Sequence, residues 1–188
     1  MILYAAEIRK LGYKIDIYSS DTDVLVIAMT MLSHPGPEVT LIMGTGENRR
    51  RIELHGLFDR MDSHKISGLC GMHALTGCDT TGRIHGKGKL TCFNVYMSSS
   101  KEVIHGLAAL GIGDAPTDNV LRACTKYICS LFGTQQINHD NAEDLRWYMF
   151  RQLKAHQGVE RLPPTQGAIL QLVSVKNTFA MQYLEAIT

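Results

Sequence analysis

The chain has 188 residues, of which 45% are apolar and 20% are charged, and its formal net charge is +1. This composition excludes a disordered chain and predicts one packed domain, or one domain with a helical extension. The near-neutral charge excludes a grip on nucleic acid by overall charge alone, although it is compatible with a local basic patch.

The sequence carries no membrane or secretion signal. No apolar run is long enough to span a bilayer, and the first residues, MILYAAEIRK, lack the basic region and the cleavage site of a signal peptide. Five cysteines without a CxxC pair favour reduced thiols and argue against a zinc site. We therefore expect an intracellular protein with no membrane partner, and the nucleus is a candidate compartment.

The first part of the chain alternates helix and strand. Residues 1–11 carry apolar side chains at helical spacing, and Gly12 is typical of a helix C-cap. The segment KIDIYS, at 14–19, alternates and predicts a buried strand. A helix is then predicted from Asp21 to the proline-containing break at 34–37.

Two further strands are predicted at 39–43 and 49–54. The order strand, helix, strand predicts a parallel three-layer α/β sheet. Beyond the sheet the pattern becomes helical, with a helix predicted over 57–76 that leads into a glycine-rich loop at 77–88. Later helices are predicted at 89–98, 100–110, 117–132, 141–155 and 166–187.

Two carboxylates follow the first predicted strand in the segment SSDTDVLV. Asp21 and Asp23 stand at the carboxyl end of that strand, where open α/β sheets line their ligand crevice. Two carboxylates at this spacing present oxygen ligands that suit Mg²⁺ or Mn²⁺. For the pair alone, the commoner interpretation is structural: Asp21 caps the following helix and Asp23 complements its dipole.

The segment GCDTTGRIHGKGK, from Gly77 to Lys89, places one acidic residue ahead of glycines and basic residues. Asp79 is either a turn residue or a metal-binding carboxylate. Glycines leave backbone N–H groups accessible, and with nearby lysines and a following helix start they form a reasonable anion site. The candidate nucleic-acid-binding residues are Arg83, Gly86, Lys87, Gly88 and Lys89.

Together these motifs resemble the PIN-like 5′-nuclease superfamily, which includes the flap endonucleases and their XPG relatives. There an Asp-x-Asp pair after a strand and a later Gly-x-Asp carboxylate hold divalent metals, and a Gly-x-Gly hairpin binds the DNA backbone. Asp21 and Asp23 match the pair, and Asp79 matches the later carboxylate. The hairpin is matched by Gly86, Lys87 and Gly88. A closer likeness, over nearly the whole chain, is to animal proteins with segments such as SPDTDVLVL and LHAFTGCDTTS…GKGK. The corresponding segments here are SSDTDVLVI and MHALTGCDTTGRIHGKGK.

The resemblance implies a fold and a reaction. Residues 1–56 are expected to form a truncated PIN-like α/β core, and 57–188 a helical region with a helix-hairpin-like loop, packed on the core as one unit. The resemblance further implies Mg²⁺ or Mn²⁺ held by Asp21, Asp23 and Asp79. Phosphodiester hydrolysis is the implied reaction, with DNA in preference to RNA as the nucleic-acid partner.

Two departures from the superfamily pattern shape these expectations. The superfamily's other acidic residues lie on an earlier strand and at the start of the helix that precedes the Asp-x-Asp pair. Here they have no counterpart, because the sequence begins inside that helix and Glu7 is the only carboxylate on it. Lys89 stands where the hairpin usually has Pro. We therefore expect a fragment of a longer protein or a truncated gene product, with an incomplete acidic site and weakened metal binding. The alternative is a non-catalytic module that binds nucleic acid or protein on the same scaffold.

Two other features have an ordinary structural interpretation. His73 has the chemistry of a catalytic base, but its apolar neighbours predict a partly buried histidine with one hydrogen bond. Trp147, Tyr148 and Phe150 fall on one predicted helix, where core or interhelical packing explains them better than base stacking does.

Overall fold

The computed structural model describes residues 1–34, 36–77, 82–133, 141–153 and 158–185. The protein is a mixed α/β structure in which a small sheet precedes a larger helical region. The three strands are β1 (Ile15–Tyr18), β2 (Val39–Met43) and β3 (Arg50–Glu53). The helices are α1 (Ile2–Lys10), α2 (Thr22–Met31), α3 (Leu54–Phe58), α4 (Ser63–Ser67), α5 (Leu69–Thr76), α6 (Lys89–Ser98), α7 (Lys101–Ala108), α8 (Asp118–Phe132), α9 (Ala142–Phe150) and α10 (Gln166–Glu185).

The sheet has the strand order β1-β2-β3 and is mixed. β1 and β2 are parallel, with Ile17 opposite Leu41, and α2 forms the crossover between them. β2 and β3 are antiparallel, with Leu41 opposite Ile52. The prediction of a parallel sheet is confirmed for the first pair and wrong for β3.

A short connection explains the reversal at β3. Only 44–49 join β2 to β3, whereas a parallel return needs a crossover of about a dozen residues or more. Gly44 and Gly46 have φ of +81° and +56°, which turns the chain back through a 3₁₀ turn at Gly46–Asn48. The result is a hairpin in place of a second crossover.

The predicted ends of the first helix and strand are close to the observed ones. Gly12, with φ +91°, follows α1 and donates its N–H to the carbonyl of Arg9 at 3.0 Å, as a C-terminal cap does. In β1, Ile17 is buried but Tyr18 is 63% exposed. The prediction of a buried strand therefore holds for one face of β1 only.

The predicted helix over 57–76 is instead three short helices, α3, α4 and α5. The chain is extended at Asp62, which precedes α4, and turns at Gly68, which precedes α5. A Cβ at Gly68 would lie 2.6 Å from the Tyr96 hydroxyl, so close packing requires glycine at this break. Each of the five later helices lies where the sequence predicts one, although α9 ends at Phe150, earlier than expected.

α5 lies at the centre of the helical region, and every one of its residues is buried. It contacts α2, α7 and α10. A Cβ at Gly71 would lie 1.8 Å from the carbonyl oxygen of Leu107, so the absence of a side chain allows α5 and α7 to touch. One cluster of buried apolar side chains includes Leu75 of α5 together with Ile17 and Leu41 of the sheet, so strands and helices share one core.

The aromatic residues of α9 differ from the prediction. Trp147 is 62% exposed and Phe150 is 51% exposed, and their rings stack on each other with centroids 6.0 Å apart. Core or interhelical packing is therefore the wrong explanation for these two side chains. The buried residues of this helix are Ala142 and Leu145.

None of the helices in the described part of the chain combines the length and the apolar character that a bilayer span requires.

Candidate functional site

The first carboxylate of the Asp-x-Asp pair lies where the chain leaves the sheet. The Ser19 N–H donates to the carbonyl of Ile42 at 3.0 Å, so the segment after β1 begins at the carboxyl end of the two parallel strands. Asp21 follows with extended backbone, and its Oδ1 accepts a hydrogen bond from the Asp23 N–H at 2.8 Å. The predicted capping role of Asp21 is confirmed, and its carboxylate is at the sheet edge where ligands bind.

The second carboxylate is held by a buried histidine from another element. Asp23, in the first turn of α2, has an Oδ1 that lies 2.6 Å from the Nε2 of His73 on α5. The side chains are 21% and 7% exposed, respectively. A short hydrogen bond to an ionised acceptor in a shielded place is among the stronger polar contacts in proteins.

The other nitrogen of the same imidazole meets the basic loop. Nδ1 of His73 lies 3.0 Å from Nζ of Lys89, the first residue of α6. An ammonium group has only donors, so Nδ1 must accept from Lys89 and Nε2 must carry the proton that is donated to Asp23. This arrangement, which we name the Asp23–His73–Lys89 relay, assigns a neutral imidazole.

The electrostatics agree with that assignment. Burial is the main cause that lowers the pKa of His73 below its ordinary value, and the positive charge of Lys89 lowers it further. The carboxylates of Asp23 and Asp21 act in the opposite direction and are outweighed. A neutral His73 therefore orients Asp23 through an N–H group without cancelling its negative charge.

The glycine-rich loop forms a turn directly before α6. Gly86 has φ +69°, and the Lys87 N–H donates to the carbonyl of Ile84 at 3.1 Å. Gly88 is the N-cap of α6 and has no side chain to occupy the first amides of the helix. Backbone N–H groups at such a helix start favour an anion, and Lys89 stands beside them.

The predicted basic residues have different surroundings. Lys89 and Arg83 are exposed, whereas Lys87 is half-buried, with its Nζ 4.3 Å from the ring centroid of Phe132. Burial lowers the pKa of Lys87. A cavity of about 440 Å³ opens beside the turn and is lined by His85, Gly86, Lys87, Phe132, Glu160 and Arg161.

The structure brings together some of the predicted site residues. Asp21, Asp23 and Lys89 converge around His73, while Lys87 is drawn aside to Phe132. Asp79 lies outside the described residues. Among the side chains of the described ranges, no group of three or more His, Cys, Asp or Glu residues has a geometry that could hold a metal ion.

His73 is the site residue that the sequence prediction missed. The prediction was a partly buried histidine with one hydrogen bond, whereas the residue is only 5% exposed and the ring has polar partners on both nitrogens. The available signal was general: a histidine on an apolar helix must find hydrogen-bond partners once it is buried. The partners themselves lie 50 and 16 positions away, which no local pattern reveals.

The chemistry of the described residues fits a divalent cation in part. Asp21 and Asp23 supply hard oxygen ligands, and His73 donates to Asp23 as outer-shell groups do around metal-bound carboxylates. One oxygen of Asp21 is engaged in capping. Asp21 and Asp23 therefore offer at most two oxygen ligands, fewer than Mg²⁺ or Mn²⁺ requires from protein and water together.

Comparisons of the chain with family models, with curated proteins and with solved structures find no match.

Proposed function

We propose that the chain is a divalent-metal-dependent phosphodiester hydrolase domain of the PIN-like, flap-endonuclease type, with DNA as its substrate and its sheet as part of a PIN-like core. The observation that supports this proposal best is the Asp23–His73–Lys89 relay. It links a carboxylate at the sheet edge to the end of a glycine-rich basic loop through one imidazole. Metal-assisted phosphodiester hydrolysis requires carboxylates that bind the metal close to groups that bind the phosphate backbone.

In this proposal the carboxylates bind metal and do not transfer protons. Asp21 and Asp23 are ligands of Mg²⁺ or Mn²⁺, and the resemblance of GCDTT to the superfamily motif assigns the same role to Asp79. The metal, when bound, supplies an activated water and stabilises the leaving oxygen. His73 fixes the orientation of Asp23 by donating from Nε2 and holds Lys89 at Nδ1.

The loop before α6 binds the DNA backbone. Within the described residues, no side chain caps the amides at the start of α6, so these amides suit a phosphate oxygen, and Lys89 adds a positive charge at the same end of the helix. Arg83 extends the basic surface on the exposed side of the loop. Such contacts fix the register of a nucleic acid without reading its sequence.

A second candidate function has its own support. Within the described residues, each carboxylate of the pair already has a polar partner: Asp21 caps α2, and Asp23 bonds to His73. The relay then serves as a structural link between α2, α5 and α6. On this account, the chain is a non-catalytic module that binds nucleic acid or protein.

A cleavage assay separates the two functions. A 5′-flap DNA and a single-stranded oligonucleotide are incubated with the protein in Mn²⁺, in Mg²⁺ and in EDTA. We expect metal-dependent cleavage that Asp23→Asn and Asp79→Asn abolish and that Asp59→Asn, a change at an exposed carboxylate, leaves intact. Cleavage that persists in EDTA would contradict the hydrolase mechanism. DNA binding without cleavage, unchanged by the two variants, would support the non-catalytic module.

A further inference from the structure

Lys176, on α10, is a buried cation that the proposed mechanism does not use. It is 1% exposed, although lysine is among the residues that proteins bury least. Its Nζ donates to the carbonyl oxygen of Gly82 at 2.9 Å, across 94 positions of the sequence. Burying an ammonium group is costly unless oxygen atoms accept its protons, and the Gly82 carbonyl is one such acceptor.

Gly82, whose carbonyl accepts this hydrogen bond, lies against Gly77. A Cβ on Gly77 would lie 2.6 Å from that oxygen, so the backbone at Gly77 and the backbone at Gly82 touch, and we name this contact the Gly77–Gly82 base. Gly77 has φ +94°, a backbone conformation in which a side chain would be strained. Lys176 therefore donates where the residue that follows α5 meets the basic loop.

The chain connects each glycine of this base directly to an element that carries a residue of the relay. Gly77 directly follows α5, which carries His73, and Gly82 begins the segment that runs to Lys89. Any shift of the base would change the distance from α5 to the loop, and with it the contact of His73 with Lys89.

The adjacent residue on α10 makes a similar attachment at a different place. Asn177 is 1% exposed, its Oδ1 accepts from the Gly111 N–H at 2.8 Å, and its Nδ2 donates to the Gly113 carbonyl at 2.9 Å. α10 thus contacts two glycine-containing segments through consecutive buried polar residues. Of these two, the segment at Gly82 adjoins the proposed site, so Asn177 provides a matched control.

We propose that Lys176 is a positioning residue of the Asp23–His73–Lys89 relay, because it holds the base formed by Gly77 and Gly82. This inference rests on the proposed function and adds a residue from the C-terminal helix to the machinery of the proposed site. The role needs a long side chain with a positive charge at its tip. Lys176→Met removes the charge at nearly constant size, and Lys176→Arg keeps it.

The test measures amide hydrogen exchange in peptides that cover 77–85 and Mn²⁺ affinity by calorimetry. Lys176→Met is expected to accelerate exchange in these peptides. It should also weaken Mn²⁺ binding by about 10-fold, because a shift of the base disturbs His73, the group that orients Asp23. Lys176→Arg should restore part of both properties. Asn177→Ala should lower the melting temperature while leaving both unchanged. If Lys176→Met does not fold, Lys176→Gln is measured in the same way.

Equal exchange and equal Mn²⁺ affinity in Lys176→Met and Asn177→Ala would overturn the inference. The exchange measurement also separates this inference from the proposed function. If the unmodified chain binds no Mn²⁺, the hydrolase proposal fails. Amide hydrogen exchange in the peptides that cover 77–85 then still decides whether Lys176 holds the Gly77–Gly82 base.

Discussion

His73 donates from Nε2 to Oδ1 of Asp23 across 2.6 Å, although the two residues lie 50 positions apart. The bond joins the first turn of α2, at the edge of the sheet, to α5, the most deeply buried helix of the described structure. Lys89 extends the connection to α6. One imidazole therefore couples the residues that we propose bind a metal to the residues that we propose bind a phosphate.

Replacement of His73 tests whether the relay supports metal binding. We expect His73→Leu to raise the Mn²⁺ concentration needed for half-maximal cleavage by about 10- to 100-fold, because Asp23 loses the group that orients it. His73→Gln, which retains an amide donor, should have a smaller effect. Cleavage at saturating Mn²⁺ should recover in both variants. A loss that no Mn²⁺ concentration restores would mean that His73 acts in some other way.

Substitution of Asp21 separates its capping role from its metal role. Serine is as good an N-cap as aspartate, so Asp21→Ser should leave the free energy of unfolding in urea nearly unchanged. Asp21→Ala removes the cap and should cost about 1 kcal/mol. Both variants should lose metal-dependent cleavage, because neither supplies a carboxylate. Full cleavage activity in Asp21→Ser would exclude Asp21 as a ligand.

The close approach of α5 to α7 predicts a strong effect of one added methyl group. Gly71→Ala places a Cβ 1.8 Å from the Leu107 carbonyl oxygen, and relief of that overlap must move backbone. We expect the free energy of unfolding, measured by thermal denaturation, to fall by about 1–3 kcal/mol or more. Gly167→Ala, in the first turn of α10 with open space around it, is the control and should be neutral or slightly stabilising. Similar melting temperatures for the two variants would mean that α5 and α7 do not pack as described.

The two lysines of the loop should differ in their contribution to DNA binding. Lys89→Gln should weaken the binding of single-stranded DNA to a similar degree for all sequences and lower the salt slope by about one. Lys87→Gln should have a smaller effect, because the ammonium of Lys87 lies over the ring of Phe132. Fluorescence anisotropy across a salt series in EDTA measures both slopes without cleavage. A larger effect of Lys87→Gln would indicate that Lys87 moves from Phe132 to the phosphate.

Local features of the fold could be predicted from the sequence because neighbouring residues determine them. Asp21 caps a helix, Gly12 ends one, and the later helices appear where apolar periodicity places them. Errors arose where distant packing decides. The break at Gly68 reflects contact with Tyr96, a residue of another helix. The orientation of β3 is a different case, because the short connection between the two predicted strands already favours a hairpin, so this error was avoidable from the sequence.

The candidate site could be predicted only in part for the same reason. The carboxylates and the basic loop have recognisable motifs, so Asp23 and Lys89 were identified without the structure. His73 joins them from the middle of an apolar helix, and Lys176 reaches Gly82 from the C-terminal helix. Neither has a local motif. Trp147 and Phe150 show the converse, because helical spacing alone did not reveal that this face of α9 is exposed.

Titration of Mn²⁺ into the protein by calorimetry, beside Asp23→Asn, Asp79→Asn and the exposed-carboxylate control Asp59→Asn, tests the central claim most directly. The account predicts saturable binding that the first two variants lose and the control retains. Absence of binding in the unmodified chain, or equal binding in all four proteins, would contradict a metal site at these carboxylates.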